Sequence, residues 1–244
     1  MPFILRRLKS DVLKELPPKI ETDIVCPLGA EQEEYYKAHL SLIRKSLLSD
    51  PEINKITVLT MLTKLRRICC DPSLEDSAYK GNSAKLEACM QLVDSAIKGG
   101  HKILIFSQFT SMLEIIRAQL LSRGITNYVL TGETPKSERI KFVNRFNKDE
   151  TQVFLISLRA GGTGLNLTGA DVVIHYDPWW NISVMNQATD RAYRIGQQKS
   201  VQVYSLLLSG TLEQKIVELQ KRKARLSGLL EGNLEISELI DLIK

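Results

Sequence analysis

The sequence predicts an α/β fold in which a doubly wound parallel sheet follows an N-terminal helical protrusion. Three observations lead to this prediction. Between residues 100 and 230, short apolar runs alternate with amphipathic stretches of helical spacing. The runs are mainly apolar, as strands buried on both faces are, and helices between such strands imply parallel pairing with right-handed crossovers. Ahead of residue 99, by contrast, the pattern is mainly helical.

Helices and one strand account for the first part of the chain. Three helices are predicted, at 31–48, 56–68 and 83–98. Ser83 is a favourable N-cap for the third helix, and Gly99–Gly100 is a helix-stop signal. Prolines bracket one predicted strand at 20–25, and the segment 71–82, which contains Pro, Ser, Asp and Gly, is predicted to be a short linker.

Five further strands and the helices between them are predicted after residue 100. The strands lie at 102–106, 127–130, 152–156, 171–176 and 201–208. Helix starts are indicated by capping patterns at Ser111 with Glu114, at Thr134 ahead of Pro135, and at Thr211 with Gln214. The helix after Thr211 is expected to reach Leu230, and a last helix is expected at 235–244.

The composition excludes several classes of protein. The chain has 33 Lys and Arg against 28 Asp and Glu, a net charge of +5, and 43% hydrophobic residues, which argues against a disordered chain. No apolar run approaches the roughly 20 residues that span a bilayer, and the charged start is unlike a signal peptide. The four cysteines form no C-x-x-C pattern and the three histidines are scattered, so we expect reduced thiols and no metal site.

Ligands of doubly wound sheets bind beyond the carboxyl ends of the strands, so the loops there are the first places to search. The loop 157–171 contains four glycines, which allow backbone N–H groups to approach phosphates. It matches neither G-x-G-x-x-G nor G-x-x-x-x-G-K-[ST], and no other segment matches the second pattern. The chain therefore lacks a triphosphate cradle of its own, and a purely structural turn is the alternative for this loop.

The segment 187–199 contains two closely spaced arginines. Arg191 and Arg194 are three residues apart and are expected on one face of a helix, with Gln187 one turn earlier. Two guanidinium groups on one face repel each other unless an anion lies between them, and phosphate is a natural partner for arginine. The alternative is a solvated basic helix end.

Together these segments resemble a specific protein family. KILIFSQFTSML, LTGETPKSERIKFVNRFN, VFLISLRAGGTGLNLTGADVVIHYDPWWN and QATDRAYRIGQQKSVQVY resemble motifs IV, IVa, V and VI of the SWI/SNF-related ATPases, within helicase superfamily two. FILRRLKSDVLKELPPK and RRICCDPSL also resemble the second half of that family, so the resemblance covers nearly the whole chain. Two positions depart from the family pattern: Tyr193 replaces the usual His, and Ile182 replaces the usual Pro.

The resemblance implies a motor of two RecA-like lobes with ATP between them. The first lobe supplies the P-loop and the acidic Mg²⁺ motif, and this chain is expected to be the second lobe, inactive by itself. The expected organisation is 1–29 as the segment entering from the first lobe, 30–82 as the helical protrusion and linker, 83–232 as the RecA-like lobe, and 233–244 as a C-terminal helix.

The resemblance also implies roles for individual residues. Arg191 and Arg194 are expected to reach the γ-phosphate of ATP as arginine fingers. Nucleotide contacts are expected from Gln187, Gly164 and Asn166. Contacts with the DNA backbone are expected from Ser107, Gln108, Thr131, Gly132, Arg159, Thr163 and Trp179. Hydroxyls and backbone N–H groups suit backbone contacts, which fix position without reading sequence; for Ser107 or Thr131 alone, a cap or turn role is the alternative.

The implied partners are double-stranded DNA, the first lobe and a nucleoprotein target, in the nucleus of a eukaryote or the cytoplasm and nucleoid of a bacterium. Basic clusters at 54–67 and 136–148 agree with a polyanionic partner, although solvated faces also produce such clusters.

Other interpretations remain open from the sequence. One is an RNA helicase lobe of the DEAD-box kind, whose motif VI begins differently from Gln187–Ala188. Another is a lobe that binds DNA or a partner without catalysis. A nicotinamide-binding domain fits the fold class, but the glycine-containing loop does not match the G-x-G-x-x-G pattern of such domains.

Overall fold

A computed structural model describes residues 16–50, 52–160, 164–226 and 235–243, with the backbone alone for 224–226. Six parallel strands form one sheet in the order β1-β6-β5-β2-β4-β3. The strands are β1 (Lys19–Cys26), β2 (Ile103–Ser107), β3 (Asn127–Leu130), β4 (Val153–Ser157), β5 (Val172–His175) and β6 (Val201–Leu208). The predicted doubly wound parallel sheet is confirmed, and each predicted strand lies within one residue of the observed one at either end.

The described residues also form eight α-helices. They are α1 (Ala30–Ser49), α2 (Lys55–Cys70), α3 (Ala84–Lys98), α4 (Thr110–Ser122), α5 (Lys136–Phe146), α6 (Ile182–Thr189), α7 (Leu212–Leu226) and α8 (Ile236–Asp241). Among the helices of these segments, none combines the length and apolarity that crossing a membrane requires. The predicted extension of α7 to Leu230 falls outside the described residues.

The two faces of the sheet build separate hydrophobic cores because successive side chains of a strand point to opposite sides. In β2, Ile103 and Ile105 pack with α3 and α4, whereas Leu104 and Phe106 pack with α5 and α6. All four are fully buried. The continuous apolar run of this strand is explained by helices covering both of its faces.

The helical protrusion packs on the end of the sheet rather than standing clear of it. Leu62 and Leu65 of α2 share a buried cluster with Ile216 of α7. Two polar contacts add to this packing: the Leu212 amide donates to Tyr36 Oη at 2.9 Å, and Arg44 Nε donates to the Ile243 carbonyl at 2.9 Å. The protrusion and the last helices therefore form a third core beside the sheet.

One predicted helix start is confirmed and one is wrong. Ser83 is the N-cap residue of α3 as predicted, although its hydroxyl donates to the Cys70 carbonyl at 3.0 Å instead of capping the helix. Helix α4 begins at Thr110 with Phe109 as its N-cap, so Ser111 and Glu114 lie within it and form no capping box.

Candidate functional site

The glycine-containing loop after β4 and the turn after α6 are bonded to each other. The Leu167 amide donates to the Arg191 carbonyl at 2.9 Å. The Gln197 carboxamide is buried between the two segments, with its Nε2 2.8 Å from the Ala170 carbonyl and 3.2 Å from the Ala192 carbonyl. The two segments that the sequence analysis selected independently therefore form one structural unit.

The two arginines of this unit do not share a helical face, which corrects the sequence expectation. Helix α6 ends at Thr189, and the backbone then continues in tight turns, with the Arg191 amide donating to the Ala188 carbonyl at 3.1 Å. Arg191 is half-buried, whereas Arg194 is exposed. The turn brings the arginines to the surface next to the glycine-containing loop.

The electrostatic environment of Arg191 suits an anion. Burial lowers the pKa of its guanidinium, and the positive charge of Arg194 lowers it further. Its Nε is buried and has no hydrogen-bond partner among the described residues. The nearby Asp190 carboxylate acts in the opposite direction and raises the pKa of Arg191.

The predicted nucleotide contacts lie around this turn. Gln187 is exposed in the last turn of α6, and Gly164 and Asn166 are exposed in the loop. Asn147 makes two hydrogen bonds to this loop: its Nδ2 donates to the Asn166 carbonyl at 2.8 Å, and its Oδ1 accepts from the Gly169 amide at 3.0 Å. Gly164 has a φ of +47°, a conformation that glycine adopts most easily.

A groove of about 770 Å³ lies at the carboxyl ends of β2, β3 and β4. Four of the predicted DNA-facing residues line it together: Gln108, Thr131, Gly132 and Arg159. Thr163 lies outside the described residues. The groove is also lined by Thr63 and Arg67 of α2, which the sequence analysis did not select. The only signal for them was the basic cluster at 54–67.

The loop 131–134 owes its shape to Arg139 of α5. Arg139 Nε donates to the Thr134 carbonyl at 2.8 Å, and Nη2 donates to the Gly132 carbonyl at 2.9 Å. Thr134 Oγ1 accepts from the Thr131 amide at 3.0 Å, and α5 takes Pro135 as its N-cap instead of Thr134. The carbonyl groups of Thr134 and Gly132 therefore face the Arg139 guanidinium.

Ser107 does not reach the groove, and the expectation that it touches DNA is corrected. Its side chain is fully buried, and its hydroxyl donates to Asp177 Oδ1 at 2.5 Å while accepting from the Phe109 amide at 3.1 Å. Asp177 is also buried and accepts from the Gln108 amide at 3.1 Å. Ser107 thus connects the loop after β2 to the loop after β5.

The tryptophan pair lies beside this network, outside the groove lining. The rings of Trp179 and Trp180 are 4.5 Å apart and tilted by 34°. Both are half-buried, Trp179 against the core below α5 and α6 and Trp180 against the core of the helical protrusion. Trp179 therefore packs between two cores while keeping part of its surface exposed, and its DNA contact stays a prediction.

Two family models match the chain. The model described as SNF2-related domain matches residues 1–74, and the model described as Helicase conserved C-terminal domain matches residues 84–196. Among curated relatives, a mouse protein named SWI/SNF-related matrix-associated actin-dependent regulator of chromatin subfamily A member 1 is 40% identical over 242 residues. That match covers 94% of this chain and 23% of the relative, so the chain spans under a quarter of that protein.

Solved structures show the same fold. The Sulfolobus solfataricus SWI2/SNF2 ATPase C-terminal domain is 32% identical, with a TM-score of 0.75 over 93% of this chain and 98% of that one. The Sulfolobus solfataricus SWI2/SNF2 ATPase core in complex with dsDNA is 37% identical, with a TM-score of 0.74 over 92% of this chain and 49% of that one.

Proposed function

Because this chain belongs to the SWI2/SNF2 family of ATPases, we propose that it is the second motor lobe of an ATP-dependent translocase of double-stranded DNA. ATP would bind between this lobe and a first lobe that supplies the P-loop and the residues for Mg²⁺. By this proposal the chain hydrolyses ATP only as part of the two-lobed enzyme. The DNA would be bound within a nucleoprotein target, in the nucleus if the source is a eukaryote.

The single observation that best supports the nucleotide role is the half-buried guanidinium of Arg191, whose pKa is lowered by burial and by the positive charge of the neighbouring Arg194. We assign Arg191 and Arg194 to the γ-phosphate, where fixed positive charge stabilises the phosphoryl group in the transition state. Gln187, Gly164 and Asn166 surround the same turn and would contact the rest of the nucleotide or its water.

The groove supports the DNA role. Its lining combines the side chains of Gln108 and Thr131, the backbone at Gly132 and the guanidinium of Arg159. Such groups bind phosphate oxygens without reading base sequence, as a motor that moves along DNA requires. We add Thr63 and Arg67 to this contact surface and leave out Ser107, whose side chain is buried. Thr163 and Trp179 stay proposed contacts.

Replacing the arginines in the two-lobed enzyme tests the nucleotide role. We expect Arg191→Ala and Arg194→Ala each to lower kcat for ATP by about 10³-fold or more, the range known for arginine fingers, while duplex DNA affinity stays within about twofold. Steady-state hydrolysis at saturating DNA and fluorescence anisotropy with labelled duplex measure the two quantities.

Arg123→Ala is the matched control, because Arg123 is an exposed arginine whose partner is Asp94 at 2.6 Å, at the end of α4. It should leave kcat unchanged. Near-normal turnover in the Arg191 and Arg194 variants would contradict the assignment of arginine fingers, and an equal loss of DNA affinity would place these residues in the DNA site instead.

A further inference from the structure

Arg66 of α2 is a fully buried cation that contacts the loop after β2 and the segment between β5 and α6. Its side chain is 1% exposed. Nη1 donates to Gln108 Oε1 at 2.6 Å, and Nη2 donates to Asp177 Oδ2 at 3.2 Å and to the Pro178 carbonyl at 2.8 Å. Burying a charge is costly unless it is paired and hydrogen-bonded, and these contacts pair both Nη atoms, while Nε has no partner among the described residues.

Aromatic rings enclose the same guanidinium. Its central carbon lies 4.9 Å from the ring centroids of both Trp179 and Trp180, and 5.3 Å from that of Phe109. The faces of these rings attract a cation and exclude water from it. The planar group and the loops that enclose it therefore have little room to change their orientation.

The contact with Gln108 determines which end of its carboxamide faces the groove. A guanidinium has five N–H donors and no acceptor. The amide must therefore present its oxygen to Arg66, which leaves its NH₂ donors for the groove that Gln108 lines. Donors directed into the groove suit phosphate oxygens, whereas the opposite orientation would present an oxygen and repel them.

The contact with Asp177 and Pro178 extends the network toward the arginine turn. The segment 177–181 joins β5 to α6, and the end of α6 leads directly into Arg191. Asp177 also holds the Ser107 hydroxyl, so one ion pair joins α2, the loop after β2 and the approach to α6. The groove and the segment that leads into α6 thus share one buried support.

We propose that Arg66 is a positioning residue that orients Gln108 toward the DNA backbone and couples the groove to the segment leading into α6. This role rests on the proposed function, because it presumes that the groove binds DNA. Lysine would keep the charge at this position but lose the fork that reaches Gln108, Asp177 and Pro178 together.

The first arm of the test is hydrogen exchange on this chain, comparing wild type with Arg66→Lys. We expect the amides of 107–109 and of the segment 177–181 to exchange at least tenfold faster in the variant, with β4 unchanged. Lys85→Arg is the matched control, because Lys85 is a fully buried cation paired with Glu213 at the start of α7. Unchanged exchange in both loops, or the same loosening in Lys85→Arg, would overturn the positioning role.

The second arm measures duplex DNA stimulation of ATP hydrolysis in the two-lobed enzyme. Arg66→Lys and Gln108→Met should each raise the DNA concentration for half-maximal stimulation by about tenfold, and the double variant should be no worse than either, because the first acts through the second. Additive effects would show that Arg66 does not act through Gln108. If the wild-type enzyme shows no response to duplex DNA, the proposed function fails, and the exchange data alone then decide whether Arg66 holds the loops.

Discussion

A buried histidine on β5 links the sheet to the helix that leads to the arginine turn. His175 Nε2 lies 2.9 Å from Thr189 Oγ1, at the last residue of α6, and its ring stacks on Phe106 with centroids 5.7 Å apart. Burial lowers the pKa of His175 from 6.5 to about 4, and Lys19 adds to the shift. The folded protein therefore holds this side chain neutral at physiological pH.

The shift predicts how stability responds to acid. Between pH 6.5 and about 4, the unfolded chain binds a proton at His175 that the folded chain does not bind. The free energy of unfolding should therefore fall as the pH drops through this window, by at most about 3 kcal/mol from this group. Urea denaturation of wild type and His175→Gln at several pH values measures it. The variant should lose less stability with falling pH, and equal slopes would contradict the prediction.

At the scale of secondary-structure elements, one buried ion pair ties α3 to α7. Both side chains are fully buried, and Lys85 Nζ lies 2.6 Å from Glu213 Oε2, which also accepts from the Leu208 amide at 3.0 Å. Burial is the largest single influence on Lys85 and lowers its pKa, but the Glu213 carboxylate, together with Cys70 and Cys69, outweighs burial, so the pKa of Lys85 is raised.

Breaking this pair should destabilise the fold strongly. Lys85→Met leaves a buried carboxylate without its partner, so we expect the free energy of unfolding to fall by about 3–5 kcal/mol. The double variant Lys85→Met with Glu213→Leu should recover most of that loss, because no uncompensated charge remains. Urea denaturation measures the free energy of unfolding of both variants. A double variant as unstable as the single one would show that the unpaired Glu213 carboxylate is not the cause of the loss.

The rim of the groove carries an acidic residue whose removal should strengthen DNA binding. Glu133 is exposed in the loop after β3 and lines the groove. Glu133→Gln should raise duplex affinity about two- to threefold at low salt, and the gain should vanish at high salt as the charges are screened. Glu138→Gln, on the exposed first turn of α5, is the control and should have no such effect. Unchanged affinity in Glu133→Gln would argue against DNA in this groove.

The elements were predictable because their signals are local. Strands 127–130 and 201–208 match the predicted bounds, because each is a short run rich in apolar residues between turn or polar residues. Loops 131–134 and 157–171 were also selected correctly as places at the carboxyl ends of strands. Such arguments need no knowledge of distant contacts.

The contacts within the site were less predictable because they depend on residues far apart in sequence. Arg66 and Asp177 are separated by 111 positions, so no spacing pattern connects them. The Ser107 hydroxyl was expected to contact DNA, because no local sequence pattern shows that it donates to Asp177 instead. The prediction that Arg191 and Arg194 share one face of a helix was wrong, because α6 ends two residues before Arg191. Tertiary hydrogen bonds override helical periodicity there.

At the scale of the whole molecule, the proposed DNA groove and the proposed nucleotide turn lie on loops of one sheet. The groove follows β2, β3 and β4, while the arginine turn follows β5 and α6. The groove lies at the carboxyl ends of the strands. The arginine turn leads into the start of β6, and its Gln197 bonds to the Thr168 and Ala170 carbonyls just before β5, so it lies toward the amino ends of the same parallel strands. Any coupling between the two sites therefore has to pass along the sheet and α6.

By our proposal, this lobe completes an ATPase that duplex DNA stimulates, and hydrolysis assays test this proposal. ATP turnover would be measured for this chain alone and for the chain joined to a first lobe, each with duplex DNA and with duplex RNA. We expect hydrolysis only in the joined form, with stimulation by DNA. Hydrolysis by the chain alone, or stimulation by RNA in place of DNA, would contradict it.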